Sequence, residues 1–145
     1  GVTSGAFYKH FKSKKAAFES AVVEGLKEVQ AGISHLEAEH GESWWQAFAD
    51  LYVNDRRTCD AQYSCGLQSL SAEVSRAEPE LKAVYEKELL SIADLASGAS
   101  DGQPSEETWQ KLAMLVGGVT MARAVNDPEL SEKIGQAIRN SELFK

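Results

Sequence analysis

The first fifteen residues combine small side chains with hydrogen-bond donors and contain no acid. Lys9, Lys12, Lys14 and Lys15 give this segment a charge of +4, whereas the rest of the chain carries −11. Lysine, tyrosine and histidine side chains are suitable donors to nucleic-acid phosphates, which set register, and small residues permit close approach to base edges. Because the acidic remainder would be repelled by DNA, we expect nucleic-acid contacts to be confined to this segment.

The two cysteines, Cys59 and Cys65, are too few for a disulfide framework, and we expect a reducing, cytoplasmic location. A helix N terminus lowers the pKa of a thiol and makes it more nucleophilic. The charged neighbours of Cys65 along the chain, Arg56, Arg57 and Asp60, neither supply nor exclude such activation. A small, buried apolar residue is the simpler interpretation of Cys65.

No catalytic or metal-binding constellation is apparent in the sequence. His35 and Glu39 are spaced i and i+4 with His40 adjoining, a pattern that can place two ligands on one helical face. A closed zinc site requires four ligands, and no second cluster supplies them. Glycine-rich phosphate loops and serine elbows are also missing from the sequence. We therefore predict a protein that is not an enzyme and has no metal or cofactor.

Apolar residues recur at steps of three and four along the chain, which predicts an all-α fold. With 145 residues, 43% of them hydrophobic, the chain can bury one core, and no apolar run approaches the length of a membrane span. Serine, proline and glycine signals delimit the helices. They are predicted at about 13–40, 43–57, 66–77, 79–97, 105–121 and 128–138.

The opening residues, GVTSGAFYKHFKSKK, resemble the recognition-helix end of a TetR/AcrR-family transcriptional regulator. The segments CGLQSLSAEV at 65–74 and LVGGVTMARAV with DPEL at 115–130 are also similar to that family. The resemblance implies an N-terminally incomplete helix-turn-helix followed by a TetR-like body. Residues 1–12 would be the remnant of the DNA-binding domain, and 13–145 a ligand-binding and dimerisation domain that starts with a long connecting helix.

The resemblance also implies roles for individual residues. It places Thr3, Ser4 and Gly5 near DNA bases and Tyr8, His10 and Lys14 at the phosphate backbone, with Lys9 as a further donor. Behind this segment the family places an effector pocket. Aromatic side chains with polar tips, and one cysteine, are its candidate lining, although core packing explains them as well: Trp44, Trp45, Phe48, Tyr52, Tyr63, Cys65 and Tyr85.

The family resemblance further implies a homodimer in which the last two helices form a four-helix bundle with their symmetry mates. Gly117 and Gly118 remove side chains in mid-helix, at about 1 kcal/mol each relative to alanine, so close packing is expected there. A neighbouring helix of the same subunit would explain the glycines as well as a partner would. The predicted interface residues are Trp109, Val116, Gly117, Thr120, Ile134 and Ile138.

These features predict a ligand-responsive DNA-binding regulator, a repressor whose affinity for operator DNA is changed by a small-molecule effector. Because a helix-turn-helix is not completed by its last helix alone, residues 1–145 are not expected to bind DNA specifically. The alternative is a helical small-molecule-binding or interaction module without a DNA role, in which the basic N terminus is an ordinary surface helix.

Overall fold

The computed structural model describes residues 11–60, 64–98 and 103–145, and helices account for most of them. No strand occurs in these ranges, so the predicted all-α fold is confirmed. Short 3₁₀ turns lie at Gly41–Ser43 and Glu142–Phe144. The α-helices are α1 (Lys14–His40), α2 (Trp44–Leu51), α3 (Gly66–Val74), α4 (Pro79–Ser97), α5 (Glu106–Ala124) and α6 (Pro128–Arg139).

The helix ends follow the local signals of the sequence. The Ser13 side chain accepts a hydrogen bond from the Ala16 amide at 3.0 Å, and Ser105 accepts one from Thr108 at 3.1 Å. These bonds satisfy amides that have no partner within a helix. Proline occupies the first turn of α4 and α6, and Gly98 ends α4 in the left-handed region with φ of 65°.

The core is organised around α1, against which α2, α3 and α4 pack, while α5 pairs with α6. The apolar stripe predicted for α1 is buried in its middle, at Val22, Leu26, Val29 and Ile33. A buried aliphatic side chain contributes about 1.5–3 kcal/mol of transfer free energy. The long first helix is therefore held in place by packing along much of its length.

Two helices differ from the prediction. The second helix continues to Arg57 as expected, but Tyr52–Arg56 form a π-helix within it. The third helix ends at Val74 and not at Ala77, because the amides of Arg76 and Ala77 donate to carbonyls only three residues back. Tightening of a last helical turn in this way satisfies carbonyls that would otherwise lack a partner.

The π-helix is held at its C-terminal end by a side chain from α5. The Arg123 guanidinium donates to the carbonyls of Arg56 at 2.7 Å and Cys59 at 2.9 Å. Arg57, in turn, donates to Glu132 of α6 at 2.5 Å. The π-helix is thus connected to both C-terminal helices. Within the described ranges, no helix has the length and apolar composition needed to cross a membrane.

Candidate functional site

A small cavity of about 40 Å³ lies where α1 meets α2, the π-helix and the start of α3. A single water needs about 10–15 Å³ of such space, so the cavity has room for only a few non-hydrogen atoms. Three of the predicted pocket residues, Phe48, Tyr52 and Cys65, line it together. The full lining is Gly25, Glu28, Val29, Phe48, Leu51, Tyr52, Arg56, Ser64, Cys65 and Gly66.

Two glycines bring the walls of this cavity together. A Cβ atom added to Gly66 would lie 2.7 Å from the carbonyl carbon and 2.8 Å from the carbonyl oxygen of Gly25. Real side chains do not approach backbone atoms so closely. The absence of both side chains therefore allows the start of α3 to meet α1, and this contact positions Cys65 beside the cavity.

Tyr52 is a buried residue in the wall of the cavity. Its side chain is 2% exposed, and the Cys65 thiol is the neighbour of its hydroxyl group. Burial raises the pKa of Tyr52 well above its usual value, the neighbouring Cys65 thiol raises it further through its charge and a side-chain hydrogen bond, and the Arg56 guanidinium acts in the opposite direction. The phenol therefore keeps its proton near neutral pH.

The N terminus of α3 adds positive electrostatic potential to this cavity. Cys65 is the N-cap residue, and its side chain makes no capping hydrogen bond. The amides of Gln68 and Ser69 donate to the Cys65 carbonyl, at 3.0 and 2.9 Å. The first turn of α3 contains no acidic residue. The helix N terminus contributes a partial positive charge beside Cys65, and Glu28 is the acid in the cavity lining.

The predicted aromatic residues do not form one pocket. Trp44 stacks on Trp45 with ring centroids 4.3 Å apart, and Trp45 also contacts Phe144 near the C terminus, at 6.4 Å. The Lys111 ammonium lies 5.0 Å from the centre of the Trp45 ring. This cluster fastens the C-terminal segment to α2, and Phe48 connects it to Tyr52, 5.2 Å away.

Tyr85 lies on a separate surface, and Tyr63 lies outside the described residues. The Tyr85 hydroxyl shares a hydrogen bond of 2.7 Å with Ser71. Its ring helps to line an apolar groove of about 200 Å³ between α4 and α5, together with Trp109 and Val116. Ligand contact by these residues stays a prediction.

The sequence did not indicate several residues that line the cavity, notably Glu28, Arg56 and Ser64. The usable signal was a pair of glycines at positions where helices would otherwise carry side chains. Gly25 interrupts α1 next to Leu26, and Gly66 directly follows Cys65. A glycine inside a helical pattern indicates close approach of another backbone, although the partner cannot be read from the sequence.

The residues predicted to contact DNA lie mostly outside the described residues. This applies to Thr3, Ser4, Gly5, Tyr8, Lys9 and His10. Lys14 is the first residue of α1 and is exposed, immediately after the Ser13 cap. Its role in DNA binding stays a prediction.

Three of the six predicted dimer residues, Gly117, Ile134 and Ile138, line an apolar groove of about 550 Å³ on α5 and α6. Trp109 and Val116 line the separate groove beside Tyr85. Met121, which is 60% exposed, also lines the groove on α5 and α6. Thr120 is exposed and donates to the Val116 carbonyl at 2.7 Å. The groove lining comprises Ala113, Met114, Gly117, Gly118, Met121, Ile134, Ala137, Ile138 and Ser141.

The two mid-helix glycines of α5 have different environments. A Cβ on Gly118 would lie 2.9 Å from Cγ1 of Ile138 and closer still to its terminal methyl group, so contact within the subunit explains this glycine. A Cβ on Gly117 would meet no atom within 4 Å among the described residues. Close packing by a partner subunit would therefore explain the glycine at Gly117, whereas Gly118 is explained by packing within the subunit.

The His35 and Glu39 side chains form an exposed pair, with Nε2 and Oε2 3.4 Å apart. Within the part of the chain that the structure describes, no three His, Cys, Asp or Glu side chains are grouped so that they could hold a metal ion. The pair is consistent with a charged helix surface.

Together, these observations define an all-α protein that has a small cavity lined by both polar and apolar side chains and a separate apolar groove on its last two helices. No family model matches the chain, and no match is found among curated proteins or solved structures. Any function must therefore be argued from the residues and their arrangement.

Proposed function

We propose that this chain is the ligand-binding and dimerisation part of a TetR-type transcriptional regulator, a repressor whose DNA affinity a small molecule changes. The observation that supports this proposal most directly is that α1 begins at Lys14, next to the basic segment, and also supplies Gly25, Glu28 and Val29 to the cavity. Lys14 and Gly25 are separated by about 17 Å along the helix axis. Occupancy of the cavity would thus act on the helix that leads to the predicted DNA contacts.

The mechanism would be a shift between two arrangements of α1. A ligand that binds one arrangement better than the other shifts the population toward it, and DNA affinity changes by the same coupling free energy. The cavity is suited to such coupling because its walls come from α1, the π-helix and α3. Any change in the space between these three elements would alter the position of α1.

A second copy of the chain is the proposed occupant of the α5 and α6 groove. Apolar patches that remain exposed on a folded subunit commonly mark interfaces. Met121 is 60% exposed and Leu130 is 44% exposed on these two helices, and Gly117 leaves space for close approach. A symmetric pairing there would present two basic segments to DNA, as a palindromic operator requires.

Fluorescence anisotropy tests the proposal. The full-length protein would be titrated onto the DNA that precedes its own coding region and onto a scrambled duplex, at two salt concentrations. We expect selective binding that weakens with salt, and no selective binding by residues 1–145 alone. Equal, weak binding to both duplexes would contradict the regulator proposal and favour the small-molecule-binding module without a DNA role.

Two lysines of α1 provide a matched pair for the same assay. Lys14→Gln should weaken binding and reduce the slope of log affinity against log salt by about 1, as expected when one phosphate contact is lost. Lys27→Gln removes the same charge farther along the helix, where Lys27 faces Glu24 at 3.8 Å. This control should leave the slope unchanged. Equal effects of the two variants would show a general charge effect and no local contact by Lys14.

A further inference from the structure

We infer that the π-helix at Tyr52–Arg56 is a conformational switch, which hydrogen bonds from α5 and α6 hold in the π-helical form and which becomes α-helical when those bonds are released. The inference is drawn from the carbonyl groups of this segment and from the side chains that donate to them. Its consequence for DNA binding rests on the proposed function, but the conversion itself does not.

The hydrogen bonds at Arg57 distinguish the two helix types. The Arg57 backbone amide donates to the Tyr52 carbonyl, five residues back, which is the π-helical spacing. An α-helix would pair the same amide with the Val53 carbonyl, four residues back. The Val53 carbonyl accepts the Nε–H group of the Arg57 side chain at 3.0 Å. The side chain therefore takes a place on the carbonyl that α-helical pairing would use.

Contacts with α6 fix the Arg57 side chain in this position. Its guanidinium donates to Oγ of Ser131 at 3.0 Å and to the Glu132 carboxylate. Gly135 allows α6 to lie this close, because a Cβ atom there would be 2.8 Å from Cγ1 of Val53 and 3.3 Å from Nε of Arg57. A shift of α6 would therefore move the Arg57 side chain away from the Val53 carbonyl.

The C-terminal end of the π-helix is held by α5. The Arg123 guanidinium donates to the carbonyls of Arg56 at 2.7 Å and Cys59 at 2.9 Å. Hydrogen bonds from a charged donor are about twice as strong as those between neutral groups. Because Arg123 belongs to α5 and Arg57 is bonded to α6, the two guanidinium groups hold the π-helix only while α5 and α6 keep their positions.

Conversion to an α-helix would change the wall of the cavity. A change from five-residue to four-residue pairing shifts the following residues by one helical position, which is about 100° of rotation and about 1.5 Å of rise. Tyr52 and Arg56 lie at the two ends of the π-helix, and both line the cavity. Their relative orientation would therefore change, and the segment would couple the positions of α5 and α6 to the lining of the cavity.

The conversion can be measured by NMR, through the scalar coupling between an amide nitrogen and the carbonyl carbon that accepts its hydrogen bond. In the isotopically labelled full-length protein, the Arg57 amide should couple to the Tyr52 carbonyl. The double variant Arg123→Gln and Glu132→Gln removes the guanidinium of α5 and the carboxylate that orients Arg57. In this variant the coupling to Tyr52 should be lost, and a coupling to the Val53 carbonyl should replace it.

The matched control is the double variant Arg76→Gln and Glu73→Gln. It removes the same two charges from an ion pair whose side chains are 69% and 62% exposed, so the coupling of the Arg57 amide to Tyr52 should be unchanged. Gly135→Ala is a second test that keeps every hydrogen-bonding side chain. Its added methyl group should displace the Arg57 side chain and produce the same change of coupling partner as the first double variant.

Three results would overturn the inference. They are a coupling of the Arg57 amide to the Val53 carbonyl in the wild type, retention of the coupling to Tyr52 in both test variants, and an equal change in the control. Unfolding of both test variants would also overturn it, because release of the two guanidinium groups would then lead to no α-helical alternative.

The outcome is separable from that of the regulator proposal, because the NMR measurement requires no DNA. Selective operator binding by a protein whose Arg57 amide stays coupled to Tyr52 in both test variants would overturn the switch and leave the regulator proposal intact. A change of coupling partner in a protein that does not discriminate between DNA sequences would support the switch and overturn the regulator.

Discussion

Gly25 of α1 and Gly66 of α3 are in direct backbone contact, and the cavity lies beside them. A Cβ on Gly66 would come within 2.7 Å of the Gly25 backbone, whereas a Cβ on Gly25 would lie 3.4 Å from its nearest neighbours, Cα of Gly66 and a methyl group of Leu70. The two positions therefore tolerate a methyl group unequally. Gly66 determines how closely α3 approaches α1.

Gly66→Ala should destabilise the protein by about 1–3 kcal/mol, since the added methyl group meets rigid backbone and not a movable side chain. The measurement is urea unfolding followed by circular dichroism. Gly32→Ala is the control within α1: its Cβ would meet nothing within 4 Å in the described ranges, so it should stabilise the helix by about 0.5–1 kcal/mol. A Gly66→Ala variant as stable as the wild type would contradict the backbone contact.

The second prediction separates packing within a subunit from packing between subunits. Gly118→Ala should lower the free energy of unfolding, because the methyl group displaces Ile138. Gly117→Ala has space within the subunit, so it should leave the subunit fold intact and weaken self-association. Analytical ultracentrifugation would measure the association. Undiminished self-association of Gly117→Ala would show that this face is not the site of pairing.

Arg123 provides the third prediction. Arg123→Gln removes charged hydrogen bonds to the carbonyls of Arg56 and Cys59 and should cost about 2 kcal/mol in thermal or urea unfolding. Arg76→Gln is a suitable comparison because Arg76 is 69% exposed and pairs only at the surface, with Glu73. It should change stability by no more than about 0.5 kcal/mol. Similar effects of the two variants would mean that Arg123 does not hold the end of the π-helix.

The fourth prediction follows from the raised pKa of Tyr52. Burial favours the neutral phenol in the folded state, whereas in the unfolded chain a tyrosine ionises near pH 10. Above about pH 10, unfolding therefore releases a proton, and this contribution to stability falls by about 1.4 kcal/mol per pH unit until the folded-state pKa is reached. Below about pH 10 the contribution is fully present.

Comparison of the wild type with Tyr52→Phe in urea unfolding from pH 7 to about pH 11 measures this effect. The variant should lose stability less steeply above about pH 10, because it has no phenol that can ionise in the unfolded chain. Identical alkaline slopes for the two proteins would contradict the assignment. Ionisable groups common to both proteins cancel in the comparison.

Much of the candidate site could not be predicted, and the aromatic residues show why. Trp44, Phe48 and Tyr52 recur at a four-residue spacing and share one helical face in the sequence pattern. In the structure Trp44 packs with Trp45 while Tyr52 reaches the cavity. The spacing predicts that this helix face is buried, but it does not identify the residues that pack against the face. Those residues come from other helices and from the C-terminal segment.

The sequence by itself determined the helical class and most helix ends. The local signals are the serine caps at Ser13 and Ser105, the prolines in first turns and the left-handed Gly98. Each acts on backbone groups within a few residues of itself, so its effect can be predicted from the sequence. Tertiary structure alone decided the π-helix at Tyr52–Arg56, the contact of Gly25 with Gly66 and the different surroundings of Gly117 and Gly118. These features depend on contacts between residues far apart in the chain, whose geometry is set by how whole helices pack and not by the residue types at either position.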